Sequence, residues 1–256
     1  MKISIITINL NNKSGLQKTA DSIVQQTLLD FEWIVIDGGS TDGSKEVIEE
    51  YKDYITYYVS EPDKGIYNAM NKGIVKSQGE YLFFLNSGDY LYEKDTIAKV
   101  LPLLHDKDFY VADVYTLKGL YAVDISTTEK ICNTILFRTF PHQGTFIHRR
   151  NFRTYGLYRE DKVIISDWCF FFDAVLAGRA TVEKWNFTVS VFERSGISSN
   201  ICKVVQERSD FLGERRNLKY IIDFYLKYHM LVEKVRANRF LRIMGLLYAK
   251  KIKKWV

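Results

Sequence analysis

The stretch YLFFLNSGDYL, residues 81–91, runs five apolar residues directly into Asn86-Ser87-Gly88-Asp89. Asn, Ser, Gly and Asp are the residues a chain uses to reverse direction, so one reading is a turn. The other is a strand buried on both faces whose carboxyl end, carrying Asp89, opens into a ligand crevice. A second carboxylate, Asp37, directly follows the apolar run IVI. There it can accept a hydrogen bond from a ligand N–H, such as the edge of a base. The glycine-rich segment DGGSTDGS, residues 37–44, holds neither GxGxxG nor a Walker lysine, which argues against a dinucleotide site or a P-loop. It also reads as a loop capping a helix that starts near Ser44.

Residues of this kind need a scaffold that brings them together. Apolar runs begin near Ile3, Phe31, Ile55 and Tyr81, spaced as in βαβ units. Between them Leu16, Ala20, Ile23 and Val24 share a helical face, with Ser14 as N-cap. Val47, Ile48, Tyr51 and Tyr54 repeat the pattern, as do Ala69, Met70, Gly73 and Ile74. Four strands alternating with three helices predict an α/β fold with a wound, mostly parallel sheet. Such sheets bind ligands outside the carboxyl ends of their strands, where the polar clusters at Thr7-Ile8-Asn9, 37–44, 60–73 and 86–89 converge on one rim. Further on, the spacing predicts a helix over Lys94–His105, a strand FYVAD, a hairpin turning at Lys118-Gly119, a strand GTFIHRR and a helix DWCFFFDAVLAG closed by Gly178. Strands in TVEKWNFTVSVFERSG and helices from about Lys203 complete the pattern.

Among the 256 residues, 46% hydrophobic and 26% charged content describes a globular chain with a substantial core. Three widely separated cysteines, Cys132, Cys169 and Cys202, fit neither a disulfide framework nor a zinc pattern, so reduced thiols and a cytoplasmic setting are expected. The N-terminus MKISIITINL alternates like a strand and lacks the features of a signal peptide. No run reaches the roughly 18 apolar residues of a membrane span. The net charge of +5 is uneven: from Glu214 onward twelve Lys/Arg stand against three Asp/Glu, leaving 24 against 28 before it. That tail is also aromatic and has apolar residues at helical spacing, which suggests an anionic membrane surface as partner. No nucleic-acid recognition motif accompanies the charge. Packing of the apolar face on the domain is the alternative.

SIITINLNN, FEWIVIDGGSTDGS, EPDKGIYNAMNKGIVKSQGEYLFFLNSGDYL and the later ISDW and SGIS together resemble the nucleotide-sugar-dependent glycosyltransferases of family 2. The likeness is strong to about residue 105 and patchy to about 200. It implies a GT-A fold, bacterial polysaccharide assembly and an inverting transfer from a nucleotide diphosphate sugar, usually UDP-linked, to a glycan or polyprenyl-linked acceptor. By position, Thr7 and Asn9 border the nucleotide, Asp37 holds the base, and Asn68, with Lys64 unless that lysine is only solvated, lies near ribose and phosphates. Asn71 anchors the loop. The family's acidic signature at the end of the fourth strand is thinned here to Asn86, Gly88 and Asp89. Asp89 is then the expected ligand of a Mn or Mg ion, with Asn86 as a donor contact. Asp167 matches the catalytic base, although it also opens a helix and would cap it. His142 and Gln143 line the sugar pocket, while Arg194 and Ser198 lie in a loop that closes over the donor.

The expected organisation is a catalytic domain over 1–202, with a nucleotide part to about 105 and an acceptor part over 106–202, then a basic helical extension over 203–256. Two rivals remain at this point. A nucleotidyltransferase would need a basic glycine-rich loop after the first strand, and none is visible. A catalytically silent nucleotide-sugar-binding protein draws its support from the thinned acidic signature.

Overall fold

The computed structural model describes residues 2–116, 118–178, 180–192 and 200–214. The chain divides into two compact units, Met1–Glu207 and Arg208–Val256. The second is described only through residue 214. Arg194, Ser198 and most of the basic extension therefore lie outside the described residues.

In the first unit β1 (Ile3–Asn9), β2 (Glu32–Asp37), β3 (Tyr57–Ser60) and β4 (Tyr81–Phe84) pair in parallel, in the order β3-β2-β1-β4. β1, β2 and β4 are buried along their whole length, which is why their sequences are continuous apolar runs. The crossovers are α1 (Lys13–Val24), α2 (Ser44–Glu50) and α3 (Ile66–Lys76). Leu16, Ala20 and Ile23 of α1 and Val47 and Ile48 of α2 enter the core, as their spacing predicts. The cap of α1 is Asn12, whose Oδ1 accepts from Gly15 N–H, and Ser14 lies inside the helix.

Beyond β4 lie β5 (Tyr90–Leu91), β6 (Phe109–Thr116), β7 (Gly119–Tyr121), β8 (Thr145–His148) and β9 (Val182–Phe192). β8 inserts antiparallel between β4 and β6, and β9 runs parallel to β6. Nine strands among the described residues form one sheet. β1 to β4, β6 and β9 point one way, and β5, β7 and β8 oppose them. The sheet is thus mostly parallel, and the carboxyl ends of β6 and β9 face the same edge as Asn9 and Asp37.

The remaining helices are α4 (Thr96–Val100), α5 (Thr128–Phe137), α6 (Arg150–Tyr155), α7 (Ser166–Phe171) and α8 (Ile201–Gly213). α4 is shorter than its apolar spacing predicts. Pro102, which has no N–H to donate, converts its end to a 3-10 turn over Leu101–Leu103. After α7 the chain continues as a π-helical turn, Phe172–Ala177. Gly178 is not a left-handed cap, since its φ is −96°. It is there because a Cβ would sit 2.3 Å from the Tyr155 ring. α5 and α6 are additions to the predicted elements.

Phe83 on β4 stacks on Phe146 on β8 at 4.4 Å between ring centroids, and Trp185 on β9 packs against Phe146 and Tyr110. Aromatic pairs of this kind contribute about 0.5–1.5 kcal/mol each beyond the area they bury. Their consequence for function is positional. They lock β8 against β4, and the turn that enters β8 is thereby held beside the end of β4.

Candidate functional site

Two polar groupings form at the carboxyl edge of the sheet. In the first, Asn9 and Asp37 end the adjacent strands β1 and β2 and are register partners. Asp37 is fully buried. Its carboxylate accepts from Asn9 Nδ2 at 2.8 Å, from the Ser40 backbone N–H at 2.9 Å, and from the Ser40 and Ser60 hydroxyls, both at 2.5 Å. Ser60 ends β3 as the register partner of Asp37. Burial would raise the pKa of Asp37, but the bonds from Ser40, Ser60 and Asn9 outweigh it and hold the carboxyl below its ordinary value. An ionised, buried acceptor at a strand end can recognise an N–H, provided a serine hydroxyl yields its place. Oδ1 of Asn9 is buried with no hydrogen-bond partner, a polar atom available to a ligand.

The second grouping crosses from the nucleotide half to the later half of the chain. Asn86 follows β4, His142 lies in the turn His142–Gly144 that enters β8, and Asp167 lies in the first turn of α7. Asn86 Nδ2 is 3.3 Å from His142 Nε2, and His142 Nδ1 is 3.3 Å from Asp167 Oδ2. Asp167 Oδ1 accepts from the Trp168 backbone N–H at 2.8 Å and from the Tyr67 hydroxyl at 3.1 Å. The same hydroxyl lies 2.6 Å from the Ile164 carbonyl, so its single proton is shared between the two acceptors. Burial would raise the pKa of Asp167, yet His142, Trp168 N–H and Tyr67 bring it below the ordinary carboxylate value. Burial drives the Tyr67 hydroxyl well above its ordinary value, so it stays a donor. Gly144 permits the turn to lie this close, since a Cβ there would meet Val114 Cγ1 at 2.8 Å and the Ala112 carbonyl at 2.9 Å.

α3 ties the two halves together. Asn71 donates to the Tyr158 carbonyl at 2.8 Å and to Glu160 at 3.0 Å, and accepts from Tyr158 N–H at 3.0 Å. Asn68 donates to the other oxygen of Glu160 at 3.0 Å and accepts from Lys64 N–H at 3.2 Å. The segment 158–160 runs on toward Asp167, so these amides brace the second grouping. The Lys64 side chain is exposed beside them. Gln143 is buried, and its carbonyl accepts from Ser190 on β9.

Two expected site residues stand elsewhere. Thr7 is fully buried, and its hydroxyl accepts from Trp33 Nε1 at 3.0 Å inside the sheet. Asp89 is only 5% exposed and lies on the α1 side, lining a recess of about 260 Å³ with Asn12, Ser14, Gly15, Lys18, Ser87 and Gly88. Gly88 has φ +102° and Asp89 N–H closes a turn onto the Asn86 carbonyl, which swings Asp89 away from the direction of β4. None of Asn9, Asp37, Asn86, His142 or Asp167 lines that recess.

A divalent cation, which the family resemblance implies, would take most of its oxygens here from phosphate and water. Among the described residues no three His, Cys, Asp or Glu side chains converge. The acid assigned to the cation shares its recess with the ammonium-bearing Lys18, and the strand end itself offers only the Asn86 amide.

Tyr67, Ser40, Ser60 and Glu160 are members of the site that the sequence reading did not single out. For Ser60 a signal existed, because it closes the third apolar run level with Asp37. For Tyr67 and Glu160 it did not, since their partners are about a hundred residues away.

A family model described as "Glycosyl transferase family 2" matches residues 4–173. A "PGL/p-HBAD biosynthesis glycosyltransferase" of Mycobacterium bovis (strain BCG / Pasteur 1173P2) is 32% identical over 180 residues, 65% of this chain and 67% of that protein. Among solved structures, S. aureus TarS 1-349 in complex with UDP-GlcNAc superposes with a TM-score of 0.64 at 18% identity, covering 77% of this chain and 59% of that one. The mannosyltransferase PcManGT of Pyrobaculum calidifontis, in complex with GDP-Man and Mn2+, gives 0.62 at 16% identity, covering 87% of this chain and 68% of that one. The two structures share the fold with this chain.

Proposed function

The chain belongs to glycosyl transferase family 2, and from that premise we propose that it moves one sugar, with inversion, from a uridine diphosphate donor to a hydroxyl of a glycan or polyprenyl-linked acceptor in cell-envelope polysaccharide assembly. The observation that carries this reading is the continuous line Asn86, His142, Asp167. It connects the end of a nucleotide-side strand to a buried carboxylate from the other half of the chain. That is the arrangement a transferase needs, with donor on one side, acceptor on the other and a proton-accepting group between them.

In this reading Asn9 and Asp37 receive the uracil edge, Asn86 contacts the donor, and Lys64 and Asn68 stand beside ribose and phosphates. His142 and Gln143 line the sugar, and Arg194 and Ser198 approach the diphosphate. The acceptor oxygen attacks the anomeric carbon as the bond to the diphosphate oxygen breaks, with the electron pair leaving on the diphosphate. The hydroxyl proton passes to the His142–Asp167 pair. The relative's name as a PGL/p-HBAD biosynthesis glycosyltransferase and the UDP-GlcNAc bound by TarS support transfer from a sugar nucleotide. A Mn2+ ion, as PcManGT holds, would have to take its oxygens here largely from phosphates and water, and no step is assigned to it.

Residues 1–202 form the catalytic part of this proposal, and 203–256 a basic extension that meets an anionic membrane surface at the cytoplasmic face. No described helix is long and apolar enough to cross a membrane. The reading is tested by incubating the protein with UDP-glucose, UDP-galactose, UDP-N-acetylglucosamine and their GDP counterparts and measuring nucleotide release. Release of UDP from at least one donor is expected. UDP binding without release from any of them would favour the silent binder, which the thinned acidic signature supports.

A further inference from the structure

We infer that Glu207 is a positioning residue for the transfer: its carboxylate grips the backbone just ahead of α7 and so sets where Asp167 stands when the acceptor hydroxyl arrives. This role rests on the glycosyl transfer proposed above, in which the proton goes to the His142–Asp167 pair, and it depends on no particular donor sugar.

Residues 156–165, between α6 and α7, belong to no helix or strand, so their backbone N–H groups have no ladder to satisfy them. Asn71 holds the first part of this segment at Tyr158. Glu207 holds the last part. Its Oε1 accepts from Val163 N–H and its Oε2 from Ile164 N–H, each at 3.0 Å, across 44 and 43 residues of chain. Two successive N–H groups turned to one anion form a concave site, and a carboxylate has an oxygen for each of them. Glu207 lies in α8 and is the last residue of the first compact unit, so the carboxylate and both of its partners belong to that unit.

The backbone that Glu207 grips is in direct contact with what surrounds Asp167. The Ile164 carbonyl lies 2.6 Å from the Tyr67 hydroxyl, whose proton it shares with Asp167 Oδ1 at 3.1 Å. The Ile165 carbonyl accepts from Cys169 N–H at 2.8 Å and so starts α7, the helix whose first turn carries Asp167. Ile164 and Ile165 are buried, which holds their side chains but leaves the peptide planes free to rotate between them. Glu207 removes that freedom. Without its carboxylate the N–H groups of Val163 and Ile164 turn to water, the Ile164 carbonyl moves with them, and Tyr67 and the start of α7 lose their common reference. A displacement of about 1 Å at a reacting group can cost about 10²-fold in rate.

The test uses the full chain and whichever of UDP-glucose, UDP-galactose and UDP-N-acetylglucosamine the parent hydrolyses fastest, with water as the acceptor. UDP affinity and kcat for UDP release are measured for the parent, Glu207→Ala, Glu207→Gln, Asp167→Asn and the double variant that combines Glu207→Ala with Asp167→Asn. In Glu207→Ala, kcat should fall by about 10–10²-fold while UDP affinity stays within about twofold. Glu207→Gln keeps one acceptor oxygen, guards against a folding defect in the alanine variant and should lie between the two. In the Asp167→Asn background, Glu207→Ala should change the remaining kcat by less than about twofold, because groups that act as a unit do not add and the group it positions is already disabled. An equal loss in both backgrounds would make Glu207 a structural residue only, and parental kcat in Glu207→Ala and Glu207→Gln would give it no role; either result overturns the inference and leaves glycosyl transfer intact. A parent that binds UDP and releases none from any donor would overturn the transfer itself, and the positioning role with it.

Discussion

Asn9 and Asp37 end two adjacent parallel strands in register, and the Nδ2 of the first donates to the Oδ1 of the second at 2.8 Å. The pairing follows from parallel geometry. When two parallel strands end in register, their last side chains emerge side by side at the edge where ligands bind. Together with the larger effects of Ser40 and Ser60, the bond keeps the carboxylate ionised while buried, and it leaves Asn9 Oδ1 unpartnered.

Asp37→Asn places amide hydrogens against Ser40 N–H and should cost about 1.5–3 kcal/mol at neutral pH, the range for hydrogen bonds to a charged group. Because the folded pKa of Asp37 is lowered from 3.8, its stabilisation is fully present above that value and is lost as pH falls through the folded pKa. Urea unfolding of parent and variant should therefore differ most at neutral pH and converge in acid. UDP affinity should fall about tenfold or more, equivalent to about 1.4 kcal/mol.

Asn71→Ala removes three hydrogen bonds to the segment 158–160. At about 1 kcal/mol each, a loss of about 2–4 kcal/mol is expected in urea unfolding. The brace leads to Asp167, so UDP release should fall at substrate saturation by more than UDP affinity changes.

Gly144→Ala forces a methyl toward the Ala112 carbonyl and Val114. Overpacking of this sort costs about 1–3 kcal/mol. Since the displaced turn carries His142, the variant should bind UDP as the parent does and release it more slowly from the donor. Equal kcat values would show that the turn can shift without consequence.

Asp89→Asn should lower stability by about 1–3 kcal/mol, the range for disturbing a buried polar group. Any Mn2+ dependence of UDP binding should be the same as in the parent, because Asp89 lines the α1 recess. A calorimetric titration with and without MnCl2 measures this, and a Mn2+ response abolished by the substitution would return Asp89 to the cation.

The sequence exposes what repeats and hides what turns. The apolar runs at Ile3, Phe31 and Tyr81 are strands buried on both faces, and their spacing is enough to place Asn9, Asp37 and Asn86 at one edge. That the Thr7 hydroxyl meets Trp33 Nε1 in the interior is not legible, because a polar residue inside an apolar run looks like the start of a rim. The position of Asp89 on the α1 side is not legible, because the left-handed Gly88 turns the chain one residue earlier and spacing carries no record of that rotation. Pro102 shortens α4 in a way its apolar period does not reveal. The contacts of His142 with Asn86 and Asp167 span 56 and 25 residues and depend on the Phe83–Phe146 stack that locks β8 to β4.

The most direct test of the transfer reading compares parent and Asp167→Asn in one experiment that measures UDP affinity by calorimetry and UDP release from the three UDP-sugars. The account predicts affinities that agree within about twofold and release slower in the variant by about 10²-fold or more. Release at parental speed from Asp167→Asn would contradict it.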